Sequence, residues 1–192
     1  MKSRKILLVL GLVLLCLSSS VEAIPFQVIL IRHAEKPVSG GNTLSMQGRQ
    51  RAAALAPFFI NNPLFSMYGL PAAIFAQAPK HINDSVRPIE TVTPLANALN
   101  QTINTGYFRD QHKECAKEIL TNSAYNEKMV LCCFEHQAVR SLAKNLGIDT
   151  VPSWPKTVYD WVWMINFDSK GNASLQIIPQ QLMYGDSATV SQ

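Results

Sequence analysis

The chain has 192 residues, 47% of them hydrophobic and 16% charged, enough apolar material to bury a sizeable core and a composition unlike that of disordered or collagen-like chains. Its net charge of +4 comes partly from one end: residues 1–23 carry three of the seventeen basic side chains and one of the thirteen acidic ones, leaving fourteen against twelve. No basic run with interleaved aromatics is present, which argues against a nucleic-acid partner.

Lys2, Arg4 and Lys5 precede an apolar run from Ile6 to Leu17, a polar Ser18-Ser19-Ser20 stretch and then Val21-Glu22-Ala23. That order is that of a secretory signal peptide cleaved after Ala23. The apolar run is about a dozen residues, short of the roughly 20 that span a bilayer. The expected organisation is a leader over 1–23 and one globular domain over 24–192, secreted or periplasmic, with no stable membrane insertion after cleavage. Cys16 follows Leu14-Leu15 rather than the small residue a lipidated cysteine needs. Asn83, Asn100 and Asn172 begin triplets that match glycosylation acceptors, a pattern that also arises by chance.

The domain opens with Phe26 to Ile31, a continuous apolar run of the kind buried on both faces of a parallel sheet. It ends in Arg32-His33. A loop with Pro37 and Gly40-Gly41 follows, and Ser45 is placed to cap a helix running to about Ile60 whose apolar face is Ala52, Leu55, Ala56 and Phe59. A second strand, Ala72 to Ala76, leads through a polar loop to a helix from about Arg87, with Val92, Leu95, Ala96 and Leu99 inward and a kink expected at Pro94. A weak strand near Thr102 to Thr105 and a helix from about Gln111 to Leu120 come next.

The strongest later strand is Met129 to Phe134, which delivers Glu135-His136, and its helix is expected over Ala138 to Leu146 with a stop at Gly147. Two strands close the chain, Thr157 to Phe167 and Ser174 to Pro179, joined by a turn at Asp168 to Asn172. Tyr159, Trp161, Trp163, Ile165 and Phe167 alternate along the first of them, which points to a sheet face buried against a helix rather than a substrate platform. Strands alternating with helices specify a three-layer α/β sandwich with a mostly parallel sheet and an antiparallel C-terminal hairpin.

Beyond the leader three cysteines remain: Cys115, Cys132 and Cys133. Neighbours on a strand point to opposite faces, so only one of Cys132 and Cys133 can face the helix carrying Cys115. A single bridge from Cys115 and three inert thiols are both open. No cysteine and histidine spacing argues for zinc.

In open α/β sheets, sites form at the carboxyl ends of strands, where helix N-termini point amides at bound anions. His33 and His136 fall there, with Arg32 ending the first strand and Arg87 opening the helix after the second. Two arginines and two histidines at one sheet edge make a phosphate-sized cationic pocket. His81 and His112 have no partner in the sequence and read as surface residues.

Leu30-Ile31-Arg32-His33-Ala34-Glu35 resembles the Arg-His-Gly signature of the histidine phosphatase superfamily, with Ala34 in place of glycine. Leu44-Ser45 followed by Gly48, Arg51 and Ala52 is similar to the helix after that signature. Ser85, Arg87, Pro88 and Thr91 resemble the second-arginine segment, and Val130 to His136 resembles the second-histidine strand. These segments come in the family's order and span most of the chain after the leader.

The resemblance implies a phosphoglycerate mutase-like fold of the first branch and a metal-independent phosphatase that needs no cofactor. His33 would attack phosphorus and form a phosphohistidine that water cleaves. Arg32, Arg87 and His136 would bind the phosphoryl oxygens of a phosphorylated substrate. The substrate class is a phosphomonoester, phosphoprotein or phosphoanhydride, and the oligomeric state stays open.

The proton donor departs from the pattern. Where the acid phosphatase branch has an aspartate after the second histidine, this chain has Gln137. The mutase-like branch places a glutamate after the third strand, where this chain offers Asp110 and, a turn later, Glu114. Asp110 is the candidate acid, with a helix N-cap as its structural alternative. Glu35 comes second, and strand alternation is expected to turn Glu135 away from His136. Loss of a usable acid would leave a weak or inactive phosphate-binding or partner-binding module of the same fold.

Overall fold

The computed structural model describes residues 24–190, so the expected leader over 1–23 lies outside the described residues. Strand β1 (Gln27–Arg32) is buried along its whole length, as its unbroken apolar run requires. It lies parallel to β4 (Met129–Phe134), with Gln27 opposite Met129 and Arg32 opposite Phe134. The two strands therefore end level, and the residues after them emerge at one edge.

Strand β2 (Ala73–Ala76) pairs in parallel with β4 on its other side and with the short β3 (Ile103–Asn104). Strand β5 (Trp161–Phe167) runs antiparallel to β1, and β6 (Ala173–Pro179) antiparallel to β5. The sheet order is β3-β2-β4-β1-β5-β6, mostly parallel with the antiparallel hairpin at one side.

Helices α1 (Met46–Asn61) and α3 (Arg87–Ala98) cover one face. Their Leu55, Phe59, Val92 and Leu95 pack on Ile29, Ile31, Leu131 and Cys133. Helices α4 (His112–Thr121) and α5 (His136–Asn145) cover the other, with Ile119, Val139 and Leu142 against Val28, Leu30, Val130 and Cys132. The period-2 alternation of the strands thus divides the core into two, one on each side of the sheet. Trp161, Trp163, Ile165 and Phe167 lie in the second core, as their alternation predicts.

Several elements differ from expectation for local reasons. A short helix, α2 (Pro63–Ser66), follows α1, started by the Asn62 side chain accepting from the Leu64 amide. Helix α5 starts at His136, two residues before the apolar periodicity that marked it, because Glu135 caps it: the carboxylate accepts from the amides of Gln137 and Ala138 at 3.0 and 3.4 Å. Strand β5 starts at Trp161 rather than Thr157. The Lys156 and Val158 carbonyls accept from side chains instead of a neighbouring strand.

Among the described residues the cysteine pairing left open by the sequence is not made: Cys115, Cys132 and Cys133 are free and buried. Cys132 shares a core with Cys115, and Cys133 faces the opposite one. Burial pushes all three thiols up, so they are poor nucleophiles. Among the described residues no helix is long and apolar enough to cross a membrane.

Candidate active site

His33 leaves the sheet directly after β1, and its amide continues the ladder by donating to the Phe134 carbonyl at 3.1 Å. The imidazole is buried, with 4% of its surface exposed. Its Nδ1 lies 2.8 Å from the Ala34 carbonyl oxygen. A carbonyl can only accept, so Nδ1 carries the hydrogen and Nε2 keeps its lone pair. Burial, joined by the charges of Arg32, Arg87 and His136, pushes the imidazole down from 6.5 to about 3 despite that hydrogen bond. A neutral imidazole with a free Nε2 is a nucleophile without further activation.

Arg32 is held beside it by loop carbonyls: Nη1 donates to Lys156 at 2.7 Å and to Val158 at 2.8 Å. The guanidinium lies over the Tyr159 ring, 3.9 Å from its centroid, and the same ring is 6.1 Å from that of His33. Arg87, in the first turn of α3, donates through Nη1 to the Gly41 carbonyl at 2.6 Å. Gly40 and Gly41 both have positive φ, which lets that loop turn its carbonyl toward the guanidinium. Among the described residues the buried Nε–H groups of Arg32 and Arg87 have no hydrogen-bond partner. Burial lowers the pKa of both side chains from the usual guanidinium value.

Thr91 joins the two basic segments. Its hydroxyl accepts from the Ala34 amide at 2.9 Å and donates to the Arg87 carbonyl at 2.7 Å, fully buried. His136 is the first residue of α5, and its Nδ1 touches the Glu135 carboxylate. Its charge acts on His33 and that of Arg32 acts on it, as those of Arg32 and Arg87 act on His33, so the four side chains lie within electrostatic reach at one edge of the sheet.

The proposed acids lie elsewhere. Asp110 does not cap α4, since Gln111 occupies that position without a side-chain bond. Its carboxylate is exposed and pairs with Lys80 at 3.1 Å, on the rim of a cleft of about 520 Å³ that Gln77, Ser85, Arg109 and Glu135 also line. Glu114 is exposed. Glu35 is buried with both oxygens taken by Arg51 at 2.7 to 3.1 Å, which ties it up as a structural anion. Glu135 corrects the alternation argument: the strand ends at Phe134, and the carboxylate folds back over the helix start onto His136. His81 is exposed, and the Nδ1 of His112 faces the Asp110 carbonyl.

Two neighbours of the site were not picked out from sequence. Tyr159 reads as part of a buried strand face, and only the early end of β5 turns it toward Arg32. Thr91 was noted only as part of a motif; its place one helical turn after Arg87 was the available signal for a buried linker.

No protein-family model matches the chain, and no curated protein matches its sequence. Solved structures do match its fold. The protein histidine phosphatase SixA, solved with tungstate, is 15% identical with a TM-score of 0.52, over 80% of this chain and 97% of that one. The SixA protein from Agrobacterium tumefaciens is 13% identical with a TM-score of 0.53, over 81% and 99%. A mycobacterial glucosyl-3-phosphoglycerate phosphatase is 12% identical with a TM-score of 0.54, over 80% and 97%. The chain has the fold of the histidine phosphatases.

Proposed function

On that fold and the geometry at His33, we propose that the protein is a metal-independent phosphatase that hydrolyses a phosphomonoester, phosphoprotein or phosphoanhydride through phospho-His33. The observation that carries this is one arrangement: a buried imidazole whose Nδ1–H is committed to Ala34, with the charges of Arg32 and Arg87 acting on it and, among the described residues, the buried Nε–H group of each guanidinium without a partner. An unsatisfied buried donor costs about 1–3 kcal/mol, more when charged. A phosphoryl group offers acceptor oxygens and negative charge to both guanidinium groups.

In the first step Nε2 of His33 attacks phosphorus and the bond to the leaving oxygen breaks, its electron pair staying on that oxygen, so leaving groups that depart as anions without protonation are favoured. The Ala34 carbonyl stabilises the imidazolium character that develops, through the hydrogen already on Nδ1. Arg32 and Arg87 hold the equatorial oxygens, each charge-assisted bond contributing about 1.5–3 kcal/mol. In the second step water attacks phosphorus and restores neutral His33. The leader expected over 1–23 supports a secreted or periplasmic location for this activity.

Hydrolysis of p-nitrophenyl phosphate in excess chelator tests the reading. Arg32→Ala and Arg87→Ala are each expected to lower kcat/KM by about 100-fold, near 3 kcal/mol. Turnover that needs an added metal ion, or that neither substitution touches, contradicts it.

A further inference from the structure

The carboxylate of Glu135 is engaged from four directions. Its Oε2 accepts from the Gln137 amide at 3.0 Å, the Ala138 amide at 3.4 Å and Arg109 Nε at 3.2 Å, while Oε1 touches Nδ1 of His136. Arg109 also donates to the Gln137 side chain, so both residues flanking His136 are fixed to the loop before α4. The candidate acids Asp110 and Glu35 are paired with Lys80 and Arg51 and touch neither histidine.

We propose that Glu135 acts through His136: its carboxylate, set against Nδ1 of that ring, stabilises the imidazolium form by its charge and so keeps a cationic N–H donor available for the transferring phosphoryl group. This role rests on the phosphatase reading above. Among the described residues Nδ1 has no hydrogen-bond partner, so the carboxylate beside it acts through its charge, which favours the protonated ring.

The groups acting on His136 come from every neighbouring segment. Glu135 favours the charged form; burial, Arg32 at the end of β1, Lys156 in the loop before β5 and Arg109 before α4 disfavour it, and the ring is drawn below the ordinary histidine value. His33 adds no charge while it is neutral. An arriving phosphate dianion offsets the cations, and with Glu135 in place the imidazole is protonated as substrate binds.

Glu135→Gln keeps an acceptor oxygen for the helix cap and removes the charge. Its kcat near neutral pH is expected to fall about 10- to 100-fold with KM within about threefold, and the basic limb of the kcat profile to move at least about one unit lower, recovering part of the rate in acid. In the unliganded protein, His136 followed by NMR is expected to titrate at least about one unit lower as well. Glu135→Asp, which retains the charge, should keep the limb within about half a unit, and it serves as the second probe if the glutamine variant unfolds.

A basic limb and a His136 titration unchanged in Glu135→Gln overturn the role. So does abolition of the basic limb, which makes Glu135 itself the proton donor. Absence of any phosphoenzyme in the parent protein overturns the phosphatase reading and this role with it, whereas a phosphoenzyme with an unshifted limb overturns the role alone.

Discussion

His33 sits where its two nitrogens have different work. Nδ1–H is spent on the Ala34 carbonyl, which leaves the lone pair on Nε2, and the charges of Arg32 and Arg87 act on the ring. The low pKa, about 3, has a consequence for the whole protein as well as for the reaction. Between pH 6.5 and about 3 the unfolded chain takes up a proton at this position that the folded chain refuses. Stability therefore falls as pH drops through that window, by up to about 1.4 kcal/mol per unit, and the penalty is absent above 6.5. Denaturant unfolding at pH 4, 5, 6 and 7 should show a shallower acid slope for His33→Asn than for the parent. Parallel slopes would mean that His33 titrates normally.

The same residue shows what a sequence can reveal. His33, Arg32, Arg87 and His136 stand at strand and helix ends, and chain topology brings strand ends together, so their meeting was readable. The fate of the carboxylates was not. Asp110, Glu35 and Glu135 were separable only by which cation or amide each one meets, and those partners lie 16 to 30 residues away for the first two. Glu135 turned on a single backbone event, the change from strand to helix cap at its own position.

At the level of elements, the loop after His33 is clamped to α1 and to the C-terminal segment. Arg51 donates to Glu35, Asp186 and Gln180, at 2.7 to 3.1 Å, with every partner part-buried or buried. Gly48 lets the chain pass close by: a Cβ there would stand 2.4 Å from the Glu35 carbonyl oxygen. Arg51→Ala leaves two buried carboxylates without a counter-charge and is expected to cost about 3–5 kcal/mol in chemical denaturation. Gly48→Ala forces backbone apart and should cost about 1–3 kcal/mol. An Arg51→Ala variant as stable as the parent would show that the clamp is dispensable. Gly48 and Arg51 were visible as motif residues, but not the clamp, because Asp186 and Gln180 lie more than 120 positions from Arg51.

For the molecule as a whole, the alternation of apolar strands with amphipathic helices was enough to read the sandwich and its antiparallel hairpin, since each strand's burial pattern records whether one face or two are covered. The order β3-β2-β4-β1-β5-β6 was not in the pattern, and it is what sets β1 beside β4. That pairing, with Arg32 level with Phe134, delivers His33 and His136 to one edge. Tyr159 was misread for a related reason: period-2 spacing cannot tell where a strand begins, and Pro155 and the carbonyl contacts of Lys156 and Val158 delay β5 until Trp161.

The central claim is that His33 carries the phosphoryl group, and the most direct test is to trap it there. The protein is mixed with a ³²P-labelled phosphomonoester, quenched in alkaline denaturant because phosphohistidine survives base and not acid, and digested for peptide mapping. The account predicts label on the peptide containing His33 in the parent protein and none in His33→Ala. Label that persists in His33→Ala, or a parent that turns over substrate without ever becoming labelled, would contradict it.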